Sequence, residues 1–293
     1  MKVGLTVNRK DDVIRCDHAV SRRPSRPTRT IGGDEKPWLT PSAFWLPWWS
    51  VVLLMVMSTS AATQDRAEHG TVACAEQWQH FAVTVRDGTR PQADLARAVA
   101  AWPSRLAACV APGDFDARVV FPVEGYGLAD LGAPLAAGYR PQGYRFLDGN
   151  RHGGHPAVDI FVHDKDRDGR DDRSNAPIHI LAPADGVVMG VDRGWHPDGA
   201  VGQRRGGNLT WIYHPALGLF SYMAHLDAVR VQPGQRVRAG EPVATLGRSG
   251  RNAHPARSPT HLHLMWLRAE TMTPVDPLSV LSGHRPADAA PRP

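Results

Sequence analysis

The sequence predicts a mainly β protein, an antiparallel β-sheet or sandwich domain preceded by a small helical segment. Three observations carry this. From Ala117 onward, short runs of β-branched, aromatic and aliphatic residues recur, each closed by Gly, Pro or Asp. The 28 glycines and 25 prolines favour many turns over long helices. Before Pro112 the apolar spacing changes to about 3.6 residues, the period of a half-buried helix.

The chain has 293 residues, 42% of them hydrophobic and 22% charged, an ordinary balance for a folded globular protein. Its net charge of +5 favours anionic partners such as an acidic polymer. The four lysines stand against thirty arginines, and no basic run interleaves with aromatics, so nucleic-acid binding is excluded as the function.

Residues 1–62 read as a basic leader with a signal or anchor segment. An uncharged apolar run from Trp45 to Met57 is shorter than the roughly 20 residues that span a bilayer. Small residues follow it, with Ser60 and Ala62 set for cleavage after Ala62. The expectation is export, periplasmic or secreted, with a membrane contact only where the leader stays uncleaved.

Residues 63–115 form the helical segment. Asp94 to Val110 carries apolar residues at helical spacing, with Pro103 expected to kink or split the helix. No chemistry is legible there. Once the leader is gone, Cys74 and Cys109 remain, an even number that a disulfide or two buried thiols would satisfy equally.

Residues 116–283 hold the candidate strands: 118–123, 157–162, 178–183, 186–192, 209–214, 219–226, 242–247 and 261–267. Residues 284–293 are polar, Pro-rich and read as a disordered tail.

The histidines cluster. His155 and Asp159 form H-x-x-x-D at the start of one strand, and His261 and His263 form H-x-H inside another. Positions two apart on a strand share a face, so His261 and His263 project together. His225 stands near the end of a third strand. Imidazole nitrogen and carboxylate oxygen suit zinc, which in catalytic sites takes three protein ligands and an open position for water. A neighbouring histidine could then take a proton or stabilise an oxyanion.

The segments FPVEGYG, GYRPQGYRFLDGNRHGGHPAVDIFVHDKDRDGRDD, SYMAHL and GRSGRNAHPARSPTHLHL carry a resemblance. Together they resemble, in order, the lysostaphin-type (LytM-like) zinc endopeptidases of bacterial cell walls. The resemblance runs from Phe121 to Leu267. It implies zinc held by His155, Asp159 and His263, with His225 and His261 as the catalytic pair, and peptidoglycan peptides as substrate. Two departures stand out: Ala157 where the family often has Gly, and Tyr222 displaced by one position ahead of His225. His152 offers a competing imidazole, but the family's spacing to Asp159 matches only His155, which leaves His152 a groove-lining or loop position. His254 and Arg257 read as loop residues. Trp195 and Tyr222 read as core residues or groove-liners.

A second ion is suggested by D-x-D-x-D-G, where Asp164, Asp166 and Asp168 alternate before Gly169, as at the start of a calcium loop. Asp172 takes the ninth position, but Asn175 stands at the twelfth, where a bidentate Glu is expected. Lys165 and Arg167 intervene, so a solvated turn of mixed charge is the other reading.

Other classes fare less well. A non-catalytic wall-binding or hydrolase-activating relative would be expected to lack some of the five key residues. LAPADGVVMG and VQPGQRVRAGEPVATLG resemble hairpins of biotinyl carriers, but no lysine follows Lys165 for attachment. A structural zinc site would close all four positions with protein ligands.

Overall fold

The helical spacing of the N-terminal part forms two helices in the computed structural model, which describes residues 48–110, 113–131, 138–199 and 203–283. Helix α1 spans Trp48–Asp87 and α2 spans Gln92–Cys109. On α1, Cys74, Ala75, Trp78, Phe81 and Val85 are buried along one stripe. On α2 the buried residues are Leu95, Trp102 and Leu106.

Pro103 does not break α2 as expected; the helix runs through it. Its neighbour Trp102 is buried edge-on to Trp78 at 4.9 Å, and this packing outweighs the one N–H that proline removes. A disulfide joins Cys74 of α1 to Cys109 at the end of α2.

The leader before Trp48 and the tail 284–293 lie outside the described residues. The cleavage point read after Ala62 falls within the backbone of α1. Among the described residues, no helix is long and apolar enough to cross a membrane.

Among the described residues nine strands follow: β1 (Ala157–Phe161), β2 (His179–Leu181), β3 (Gly186–Asp192), β4 (Asn208–His214), β5 (Leu219–Val229), β6 (Arg236–Val237), β7 (Pro242–Leu246), β8 (His261–Arg268) and β9 (Pro274–Val275). A short helix α3, Pro277–Leu281, closes the described chain, its N-terminus capped by the Asp276 side chain. The main sheet is ordered β1-β8-β5-β4-β3-β6, with β2 pairing β7, β7 pairing β5 and β9 pairing β8. Every pairing is antiparallel. The expected strand at 118–123 reduces to a single bridge, Val123 to Ile180. Pro122 lacks an N–H, and its carbonyl alone joins the edge by accepting from Leu181 N.

Strand alternation splits the core in two. On β8, Leu262, Leu264 and Trp266 face a cluster that includes Ile160, Ile180, Ile212 and Met223. Met265 and Leu267 face the opposite way, into the cluster containing Trp78, Trp102 and Phe220 of the helix-covered side. Trp78 stacks on Phe220 with ring centroids 4.2 Å apart, which seats α1 on the sheet. His261 and His263 share the parity of Met265, and so they belong to the helix-covered face.

Candidate functional site

Three strands bring the site together. In the β1–β8 ladder Asp159 lies opposite His263 and Phe161 opposite His261; in the β5–β8 ladder Ala224 lies opposite His263. Asp159 and His263 therefore point to one face although 104 positions separate them, and His263 Nδ1 is 2.9 Å from Asp159 Oδ1.

His155 precedes β1, on a segment tied to Arg140 by reciprocal main-chain hydrogen bonds of 2.7 and 2.6 Å. Gly154 makes this approach possible. It has φ +67, and a Cβ there would stand 2.5 Å from the Gln142 carbonyl oxygen.

His225 reaches the site by a break in alternation. Phe220 and Ala224 of β5 face the helices, while Met223 and then Leu226 face the other core, so one extra residue intervenes. That residue is His225, with φ 69, at a register shift between β4 and β5. The bulge turns its ring towards His261, 4.8 Å away, and His263, 5.8 Å away. Its N–H donates to the Gly206 carbonyl at 2.9 Å. The adjoining Gly207 has φ +65 and packs so closely on Ser249 and Gly250 that a Cβ would meet Gly250 N at 2.3 Å.

The hydrogen bonds fix tautomers. A carbonyl only accepts, so the Nδ1 of His225 (to Ser249 O, 2.8 Å), of His261 (to Pro259 O, 2.8 Å) and of His155 (to Gly138 O) each carries the proton. In the neutral rings Nε2 is then a lone pair. His155 Nε2 faces Asp159 Oδ1 at 3.3 Å, two acceptors that only a proton or a cation can reconcile. His155, Asp159 and His263 each present one donor atom within 4.8 Å of the others, all half-buried. This nitrogen–oxygen donor set suits zinc.

Electrostatics divide the five residues. Burial opposes ionisation of Asp159, but hydrogen bonds from His155 and His263 hold its carboxyl well below the usual range. The bond to Asp159 raises His155. Burial pushes His225 down to about 3, helped by the neighbouring His261 and His263, and burial also lowers His261. Both are thus neutral near pH 7.

A cavity of about 170 Å³ adjoins these residues, lined by His155, His225, His263 and Tyr222 among others. His152 lines it too, outside the His155–Asp159–His263 set, with its ring edge-on to Tyr144 at 4.9 Å. Trp195 packs instead on His254, 5.3 Å away, and His254 and Arg257 lie on the turns before β8.

Gln79 and Arg86 of α1 form one wall of the cavity, a role the sequence did not signal. Arg86 pairs with Asp192, which Arg204 also approaches at 3.4 Å. The helical spacing of α1 marked only its packing stripe.

The acidic loop differs from the sequence expectation. Asp164 and Asp166 do converge, but the third carboxylate beside them is Asp172. Asp168 instead accepts from Arg170 N at 2.8 Å, because the positive φ of Gly169 (82°) turns the chain back there. Asn175, at the twelfth position, has its Oδ1 and carbonyl occupied by the Arg170 guanidinium.

Residues 165–277 match the sequence model of peptidase family M23. The M23 match includes His225, His261 and His263 and begins after His155 and Asp159; Asp159 joins them through the β1–β8 register, and His155 through its bridge to Arg140 just before β1. No curated protein matches the chain. Among solved structures, the chain is similar to the catalytic domain of lysostaphin from Staphylococcus simulans, with 23% identity, 50% of this chain and 87% of that one covered, and a TM-score of 0.33. It is also similar to a zinc-containing peptidase from Vibrio cholerae, with 23% identity, 55% and 38% coverage and a TM-score of 0.33. The match spans 44% of the lysostaphin structure solved by NMR, at 22% identity over 45% of this chain and a TM-score of 0.32.

Proposed function

We propose that the protein is an exported zinc metalloendopeptidase that hydrolyses peptide bonds in peptidoglycan cross-links. The observation that carries this reading is the convergence of His155, Asp159 and His263 within 4.8 Å, beside a cavity that His225 also lines.

In this reading His155, Asp159 and His263 hold the zinc. A bound zinc supplies Lewis acidity, polarising a peptide carbonyl and lowering the pKa of a water to about 7. His225 and His261 do the rest. Their Nδ1 protons are committed to main-chain carbonyls, so each presents Nε2 to the reacting centre. Kept neutral by burial, one accepts the proton of the attacking water, and the protonated ring then donates to the departing amine. The other stabilises the oxyanion only in its protonated form, when Nε2 carries a proton to donate. The cavity between α1 and the sheet receives the peptide. Export follows from the apolar run Trp45–Met57 and the small residues after it, and the net positive charge suits an anionic wall.

The test measures zinc content and peptidoglycan digestion by the full chain beside a His263→Ala variant. One zinc per chain, with soluble muropeptides released only by the parent, is the expected result. Zinc without cleavage of any wall type would move the protein to a binding or hydrolase-activating role. A chain that takes up no zinc would overturn the reading altogether.

A further inference from the structure

The loop that leaves β1 carries a second set of ligand atoms that the proposed hydrolysis does not use. One carboxylate oxygen from each of Asp164, Asp166 and Asp172 lies within 4.8 Å of the other two. Between Asp164 and Asp172 the chain has five aspartates against three basic residues, so the loop is net negative.

Asp166 and Asp172 are exposed, and exposed carboxylates alone would indicate nothing. Asp164 is different. It is only 4% exposed. Its Oδ2 accepts from Thr260 Oγ1 at 2.7 Å and from Gly169 N at 3.3 Å. Its Oδ1 is buried without any hydrogen-bond partner. Buried carboxylate oxygens are normally met by a donor or a metal ion, because stripping an anion of water without replacement is strongly unfavourable.

We propose that Asp164, Asp166 and Asp172 bind a calcium ion, with Asp164 as the buried inner ligand. The all-oxygen donor set selects a hard cation and separates this site from the nitrogen-rich His155–Asp159–His263 set. Calcium tolerates the irregular geometry of an exposed loop, whereas magnesium demands near-ideal octahedral ligands. With Asn175 held by Arg170, no bidentate glutamate completes the site. Affinity therefore falls at the weak end of the range for such loops, roughly 10⁻⁴ M.

The ion also has a structural consequence. Asp164 holds Thr260, whose carbonyl accepts from Val162 N at 3.2 Å and whose neighbour is His261, the first residue of β8. Calcium thus clamps the end of β1 to the start of β8. The proposal is independent of the peptidase reading, since calcium binding is measured without substrate.

The experiment titrates calcium chloride into the full chain in calcium-free buffer, following heat of binding and Tm. The comparison is a variant carrying Asp166→Asn and Asp172→Asn, exposed positions whose replacement leaves the core intact. The parent is expected to bind one calcium per chain, with Tm rising by roughly 5–10 °C at about 10 mM calcium. The variant should bind at least about tenfold more weakly. An unmoved Tm with no heat of binding, an equal response from the variant, or an equal response to magnesium would each overturn the assignment.

Discussion

The rings of His225 and His261 lie 4.8 Å apart, although unbroken alternation along β5 would have put His225 on the opposite face of the sheet. The bulge that turns His225 is anchored by its N–H on Gly206 and its Nδ1 on Ser249. The site thus depends on a local departure from regular strand geometry, held in place by two turns from elsewhere in the chain.

If these two histidines move protons and leave the metal to the other three residues, His225→Ala and His261→Ala lower turnover by about 10²–10⁴-fold. Each variant keeps one zinc per chain by elemental analysis. Loss of zinc from either would transfer that residue to the metal-binding set.

The positive φ of His225 is a conformation that L-residues adopt at a disadvantage. His225→Gly should therefore be more stable than His225→Ala by about 1 kcal/mol in urea unfolding, while both are inactive. Equal stabilities would mean that the backbone relaxes once the ring is gone.

The Cys74–Cys109 bridge closes a separation of 35 residues and ties α2 to α1, which walls the cavity. Replacing both cysteines by serine is expected to reduce stability by roughly 2–4 kcal/mol, read from chemical denaturation. A parent whose unfolding does not respond to reductant would contradict this.

His214 gives a pH dependence away from the candidate site. It is fully buried between the Asp185 carbonyl and Ser221 Oγ, and burial lowers its pKa to about 4. Below about 6.5 the unfolded chain takes up a proton that the folded chain refuses until about 4, so stability falls as pH drops through this window. The loss is at most roughly 1.4 kcal/mol per pH unit for this one proton. His214→Gln should flatten the decline between pH 6.5 and 5, measured by denaturant unfolding; an unchanged slope would assign the effect to other groups.

Much of the site was legible in the order of residues because its signals are local. H-x-H in a strand places His261 and His263 on one face whatever surrounds them, and the 3.6-residue spacing before Pro112 dictates helices with one buried stripe. H-x-x-x-D marked a second cluster in the same way. The D-x-D-x-D-G run marked an acidic turn, but Asp172 replaced Asp168 beside Asp164 because the turn at Gly169 folds the later residues back.

What the tertiary structure alone decided is which of these clusters meet. The pairing of Asp159 with His263 is a matter of strand register, set by long-range hydrogen bonds and by which residues fill the two cores. The inward turn of His225 required an extra residue in β5 opposite β4, and no pattern within β5 announces it. The wall that Gln79 and Arg86 provide exists because Trp78 stacks on Phe220, some 140 residues along the chain. Periodicity records what a segment does with its own neighbours; contacts between distant segments follow from packing, which a single sequence states only in part.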